Sequence, residues 1–149
     1  MISWIAIGSM IFARLVFRPD LPKALIPTIA IELAPPALAS GAWFALNGLH
    51  SDAFAFALAG FAALMVIAQV RLFPTYFRLS FTAGFWAFTF PWCAVASLSL
   101  DWIKLESPSG GAALNALVLA AVTILVGGIG IRTLVALRRR QRRHHPQVA

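Results

Sequence analysis

Charged residues are scarce in this sequence, and acidic residues are the scarcest of them. Of 149 residues, 11% are charged, with 12 lysines and arginines against five aspartates and glutamates. A soluble domain carries about 25% charged residues. With 60% hydrophobic residues and a mean hydropathy of +0.84, the chain is too apolar for a soluble globule. The same excess excludes a nucleic-acid-binding domain as the explanation of the net charge of +7, and it predicts an integral membrane protein.

Cysteine is nearly absent, and this excludes a disulfide framework. Cys93 is the single cysteine, and its apolar neighbours predict a small buried hydrophobe. Histidine is also rare, with three residues in the chain. Two of them, His144 and His145, adjoin the basic residues near the C-terminus, and adjacent histidines at a frayed terminus make a poor metal site. The sequence therefore predicts no metal and no cofactor.

Five apolar stretches have about the length of a membrane-crossing helix, which takes about 20 residues. We number them spans 1 to 5, and they cover about residues 2–17, 27–49, 53–73, 79–102 and 112–137. Residues 138–149 follow as a basic tail. Asp52 is predicted to cap the start of span 3, and Pro74 is predicted to interrupt the connection after it. The predicted fold class is therefore all-α integral membrane, with five transmembrane helices.

The basic residues fall almost entirely on one side of the predicted membrane. When the spans alternate in direction, eleven of the 12 lysines and arginines share a side with the C-terminus, and Lys104 alone lies opposite. Cytoplasmic loops carry an excess of this kind. The sequence predicts a multi-pass protein of the plasma membrane with a cytoplasmic C-terminus, whose basic tail contacts membrane lipid head groups rather than nucleic acid.

Spans 2 and 4 each carry a stripe of mostly small or polar side chains at helical spacing. The stripes consist of Thr28, Glu32, Pro35, Ala39 and Ala42 on span 2, and of Ala83, Ala87, Phe90, Ala94 and Ser97 on span 4. Such stripes either allow tight helix packing or leave room for a lumen. The prolines Pro35, Pro36 and Pro91 favour a lumen, since each frees carbonyl groups that lipid cannot satisfy. In a lumen, the ring of Phe90 would form a hydrophobic constriction.

Glu32 is the ionisable residue inside span 2, and two interpretations of it remain open. One is a carboxylate that gates the pore or couples transport to protons. The other is a group near the cytoplasmic end that reaches water or pairs with Lys23 or Arg78. An ionised carboxylate would not help anions to pass, so Glu32 is not predicted to be a substrate ligand. In span 5, three glycines are predicted to permit close helix contact: Gly127, Gly128 and Gly130.

Three runs of residues resemble one known family. Residues 26–37 (IPTIAIELAPPA) resemble the seventh helix of the tellurite-resistance and C4-dicarboxylate transporter family. This family includes the plant guard-cell slow anion channels and fungal malate and sulfite transporters. Residues 70–74 (VRLFP) look like the end of its eighth helix, and residues 84–91 (GFWAFTFP) look like its ninth-helix signature. The three matches stand in the right order, and the resemblance covers nearly the whole chain.

The resemblance implies an anion channel of ten helices in five hairpins, of which this chain would supply helices six to ten. It implies that spans 2 and 4 line a central pore and that Phe90, by its place in the ninth-helix motif, occludes it. It also implies small anions or dicarboxylates as substrates and a homotrimer in the full-length form. The start at Ile2, inside an apolar span, favours a C-terminal fragment over a chain that works with a separate first half or that assembles from several copies.

The sequence leaves two alternatives to a transport function. One is a membrane anchor or helper subunit, whose helices only pack and do not transport. The other is a membrane enzyme subunit that binds haem or a quinone, which needs intramembrane histidines or paired carboxylates. His50 lies in a predicted turn, and Glu32 has no second carboxylate within a span. The sequence therefore predicts that the chain is not an enzyme.

Overall fold

The computed structural model of the chain describes residues 8–11, 13, 17 and 21–144. The regular structure of these residues is helical throughout. Four of the described stretches are long and apolar enough to cross a membrane: Ile26–Leu46, Ala53–Phe77, Ala83–Glu106 and Gly111–Arg139. They correspond to predicted spans 2 to 5 and confirm an all-α membrane fold. Most of predicted span 1, residues 2–17, lies outside the described residues.

Spans 2 and 4 are built in the same two-part way. Span 2 is a 3-10 helix over Ile26–Leu33 that continues as an α-helix over Ala34–Leu46. Span 4 is a 3-10 helix over Ala83–Phe88 that continues as an α-helix over Thr89–Glu106. Pro35, Pro36 and Pro91 fall in the first turn of these α-helices, where a missing N–H is tolerated because it has no partner inside the helix. The prolines thus stand where the helix type changes.

Span 3 is a single α-helix over Ala53–Phe77, and Asp52 caps its start as predicted. The Asp52 carboxylate accepts a hydrogen bond from the Ala55 N–H at 2.7 Å. The same carboxylate also accepts from Trp43 Nε1 at 3.0 Å and from Asn47 Nδ2 at 3.3 Å. One side chain therefore caps span 3 and ties it to the end of span 2.

Pro74 lies inside the helix of span 3, so the prediction that it interrupts the connection is wrong. The helix runs to Phe77 rather than to residue 73. Tyr76 accounts for the extra turn, because it is buried and its hydroxyl donates to Gln69 Oε1 at 2.9 Å. This packing outweighs the one backbone hydrogen bond that Pro74 cannot make. Span 4 consequently begins at Ala83, later than the predicted residue 79.

Two other helix ends differ from the prediction. Span 2 ends at Leu46 rather than near residue 49, because Gly48 and Leu49 turn the chain with φ angles of 65° and 60°. The helix that contains span 5 covers Gly111–His144, so the first part of the predicted basic tail continues the helix.

The described spans alternate in direction, as the charge distribution requires. The starts of spans 2 and 4 and the ends of spans 3 and 5 meet in one buried cluster: Ala30, Tyr76, Phe88 and Ile129. The opposite ends of spans 2, 3 and 4 meet in a second cluster, to which Phe44 and Leu98 belong. Lys23, Arg78 and Arg132 all lie at the end of the first cluster, and we call this the basic end.

Candidate pore wall

Spans 2 and 4 lie side by side, and within residues 21–144 the other two spans cover one side of this pair. Their 3-10 halves pack against each other, and so do their α-helical halves. Span 3 packs against span 2, span 5 packs against span 4, and spans 3, 4 and 5 together line one groove. Spans 3 and 5 therefore share one side of the pair. The opposite side is exposed, and we call it the open face: Ile31, Leu38 and Ala42 on span 2, and Phe90, Cys93 and Ser97 on span 4.

On span 4, the structure places most of the predicted stripe on or beside the open face. Phe90 is 61% exposed, and Ser97 is exposed two turns further on. Ala83 is exposed at the start of the span, and Ala87 is half-buried. Ala94 differs, because it is only 8% exposed and belongs to the second buried cluster, which spans 2, 3 and 4 share.

Cys93 occupies the place on the open face that the prediction gave to Ala94. Its side chain is exposed, so the prediction of a small buried hydrophobe is wrong. Cys93 comes three residues after Phe90 and four before Ser97, which keeps the three side chains on one side of the helix. Helical spacing from Phe90 and to Ser97 is compatible with either residue 93 or residue 94 on the stripe. The prediction named Ala94 because its side chain is the smaller of the two.

On span 2, the predicted stripe lies along the edge of the open face. Four of its members are half-buried: Thr28, Glu32, Pro35 and Ala39. The fifth, Ala42, is exposed, together with Ile31 and Leu38 at 50% and 48%. Sequence reasoning missed the last two because it followed small side chains. Leu38 comes three residues after Pro35 and four before Ala42, so spacing alone would have included it.

Glu32 belongs to the 3-10 half of span 2, towards the basic end. Its side chain is half-buried, and Lys23 and Arg78 are both exposed. Within residues 21–144, neither basic residue forms an ion pair with Glu32. The ion pair that the sequence offered as one possibility is therefore not formed here. Glu32 is partly exposed, so its carboxylate is accessible to water. Nearby, the Thr28 hydroxyl donates to the Leu25 carbonyl at 2.6 Å, within the first turn of the span.

Gly84 sets the distance between the starts of spans 2 and 4. A Cβ atom at this position would lie 2.9 Å from the carbonyl oxygen of Ala24 and 3.3 Å from Thr82 Oγ1. The first of these contacts is with backbone, which cannot move aside as a side chain can. The glycine of the ninth-helix signature thus permits the close approach that brings the two halves of the open face together.

A buried chain of hydrogen bonds joins span 3 to the 3-10 half of span 2. Gln69 Nε2 donates to the Ile29 carbonyl at 3.1 Å, and the Tyr76 hydroxyl donates to Gln69 Oε1 at 2.9 Å. Gln69 and Tyr76 are each 4% exposed. Sequence reasoning missed this pair. A single glutamine in an apolar run, two turns before a tyrosine, could have predicted a buried hydrogen bond between them.

The glycines of span 5 do not make the close helix contact that was predicted for them. A Cβ atom at any of the three would meet nothing within 4 Å: Gly127, Gly128 and Gly130. Span 5 is instead linked to span 4 nearer the basic end, where Trp86 Nε1 donates to Thr133 Oγ1 at 3.0 Å.

Comparison with known proteins identifies relatives of the chain. Residues 1–134 match the family described as voltage-dependent anion channel. The S-type anion channel SLAH2 of Arabidopsis thaliana is 30% identical over 94 residues, which are 62% of this chain. The S-type anion channel SLAH3 of the same plant is 23% identical over 136 residues, which are 91% of this chain. No solved structure matches the chain.

The chain is much shorter than these relatives. The matched residues amount to 18% of SLAH2 and 21% of SLAH3, so the chain spans about a fifth of the length of the curated relatives that it matches.

Proposed function

This chain belongs to the voltage-dependent anion channel family, and on that premise we propose that spans 2 and 4 form part of the wall of a pore for small anions or dicarboxylates. The open face carries the proposal. It lies on the side of spans 2 and 4 that spans 3 and 5 leave uncovered, and it is formed by the two spans whose helices change type at prolines. Irregular backbone at membrane depth is tolerated where it is buried in protein or lines water.

Phe90 closes the pore in this proposal. Its ring is 61% exposed on the open face, one turn before Cys93 and two turns before Ser97. A large apolar ring among smaller side chains narrows the lumen and excludes water from the narrowest point, which blocks ions at rest. Opening requires the ring to move away, whereas the basic residues at one end of the bundle raise the local concentration of anions.

Spans 2 and 4 form one section of a wall and cannot enclose a lumen by themselves. Other helices must supply the remaining sections, and we place this chain as the C-terminal section of a larger channel that assembles as a homotrimer in the plasma membrane. The C-terminus faces the cytoplasm, because the basic end then lies inside. We use "complete channel" below for this chain together with the helices that close the pore.

Two large, equally exposed side chains on different faces provide the test. Phe90 is 61% exposed on the open face, and Leu134 is 60% exposed on span 5. In the complete channel, reconstituted in liposomes, Phe90→Ala should raise anion flux at least tenfold by removing the constriction. Leu134→Ala should leave flux near the unsubstituted value. Equal flux in the two variants would remove Phe90 from the gating role.

The same assay separates a transporter from a helper subunit. With Phe90→Ala in place to remove the constriction, liposomes with the complete channel should pass anions, and liposomes with this chain alone should not. If the complete channel with Phe90→Ala also passes no anions, the chain serves as a membrane anchor or helper and the proposed pore is wrong.

A further inference from the structure

A groove behind span 4 separates span 3 from span 5, on the side opposite the open face. Its part at the basic end holds about 330 Å³ and is lined by six aromatic side chains: Phe73, Tyr76, Phe77, Phe81, Phe85 and Phe88. A second part of about 470 Å³ continues towards the middle of the bundle, and Phe73 and Leu125 line both parts. The two parts therefore form one continuous apolar groove.

The groove carries charge at one end only. Arg132 is exposed and lines the part at the basic end, and none of the described residues that line the two parts is acidic. Arg78, at the end of span 3, is exposed at the same end of the bundle. A long apolar groove that ends at an arginine complements a molecule with an apolar chain and an anionic head.

We propose that this groove binds an anionic phospholipid, with one acyl chain along the groove and the phosphate beside Arg132. From Leu117 to Arg132 the groove follows about 22 Å of helix at 1.5 Å per residue. One leaflet of the hydrocarbon core is about 15 Å thick. The groove is therefore long enough to hold an acyl chain from the membrane surface at the basic end to the middle of the bilayer. With the orientation proposed above, this end lies in the cytoplasmic leaflet, which holds the anionic lipids.

A membrane offers two apolar occupants for this groove, a transmembrane helix about 10 Å wide or a lipid acyl chain. The acyl chain is the narrower of the two and adapts to the irregular aromatic wall. Since span 4 forms the floor of the groove, a bound chain supports span 4 from the side opposite Phe90.

Neighbouring glycines in span 5 provide a matched pair of variants. Gly128 lines the groove, whereas Gly127 does not, and a Cβ atom at either position meets nothing within 4 Å. Gly128→Leu therefore fills the groove, and Gly127→Leu adds the same bulk outside it. Arg132→Gln removes the proposed phosphate contact, and Arg138→Gln removes a charge two turns further on, away from the groove.

The test measures binding of palmitoyl-oleoyl phosphatidylglycerol and phosphatidylcholine to the complete channel in detergent, by native mass spectrometry. The unsubstituted protein should bind phosphatidylglycerol at least tenfold more tightly. Gly128→Leu should weaken binding of both lipids at least tenfold, and Gly127→Leu should not. Arg132→Gln should abolish the preference for phosphatidylglycerol, and Arg138→Gln should keep it.

Three results would overturn the proposal. These are equal binding of the two lipids to the unsubstituted protein, equal lipid binding by the Gly127 and Gly128 variants, and a change of oligomeric state caused by Gly128→Leu, which would assign the groove to a second copy. Because the readout is lipid binding rather than flux, none of these results bears on the proposed pore.

Discussion

The open face of spans 2 and 4 and the outer face of span 5 are both exposed, yet they are built differently. The outer face of span 5 carries large aliphatic side chains, among them Ile131 and Leu134. The open face mixes large side chains such as Phe90 with the small side chains of Ala42, Cys93 and Ser97. Exposure alone does not separate a surface that meets lipid from one that meets water.

The backbone separates the two faces more clearly than the side chains do. The helix of span 5 is α-helical from Gly111 to His144, so its backbone hydrogen bonds are satisfied within the helix. Spans 2 and 4 each change from a 3-10 to an α-helix at a proline. At membrane depth such irregular backbone does not face lipid, and it occurs where it is buried in protein or lines water. Irregular backbone therefore marks the spans that we assign to the pore.

A lysine introduced on each face should give the largest difference in stability between the two faces. Ser97 on the open face and Thr123 on span 5 are both exposed, small hydroxyl residues near the middle of their helices. A lysine in the lipid at a helix centre costs about 3 kcal/mol, and one in a water-filled pore costs far less. Thr123→Lys should therefore destabilise the complete channel by about 3 kcal/mol, and Ser97→Lys by less than about 1 kcal/mol.

Unfolding of the purified variants in increasing denaturant measures this difference. Thr123→Val serves as the control for losing the hydroxyl and should unfold at the same concentration as the unsubstituted protein. Equal destabilisation by the two lysines would mean that both faces meet the same solvent.

Gly84→Ala should destabilise the protein by about 2 kcal/mol, the cost of overpacking a close contact. The added Cβ lies 2.9 Å from the Ala24 carbonyl oxygen and pushes the starts of spans 2 and 4 apart. Gly60→Ala is the control, because a Cβ there meets nothing within 4 Å and alanine is the better helix former. Melting temperatures should fall for Gly84→Ala and rise slightly for Gly60→Ala. Identical melting temperatures would contradict the close approach.

Gln69→Leu should have a smaller effect, about 1 kcal/mol, which is typical of a hydrogen bond between membrane helices. It removes both bonds of the chain that joins Tyr76, Gln69 and the Ile29 carbonyl. Tyr76→Phe removes one of them and should destabilise the protein by less. The same unfolding assay ranks the two variants, and the reverse order would show that Gln69 does not connect span 3 to span 2.

Hydropathy and motifs located the spans, because a membrane helix is specified largely by its own residues. The prolines of spans 2 and 4 also marked the places where the helix type changes. The end of span 3 was not predictable in this way. Pro74 usually ends a helix, and the turn that follows it is held by Tyr76 and Gln69. A contact between side chains two turns apart is not visible in local patterns.

The sequence also does not determine which residues of span 4 belong to the open face. Residues 93 and 94 differ by 100° around the helix, and both are compatible with a stripe that contains Phe90 and Ser97. The choice depends on where span 2 packs, since Ala94 belongs to the buried cluster between the spans. The rotation of a helix about its own axis is set by the helices that it packs against, so local sequence patterns do not determine it.

Cys93 tests most directly whether the open face lines water, because it is the single cysteine of the chain and its side chain is exposed beside Phe90. A sulfonate-bearing methanethiosulfonate, which is anionic and does not cross lipid, is added to liposomes that contain the complete channel with Phe90→Ala, so that it conducts, and with any other cysteines replaced. Cys93 should react, and anion flux should fall by more than half. Cys93→Ala should be insensitive, and a cysteine introduced as Thr123→Cys in that background should not react. An unreactive Cys93, or unchanged flux after its modification, would contradict the assignment of the open face to the pore.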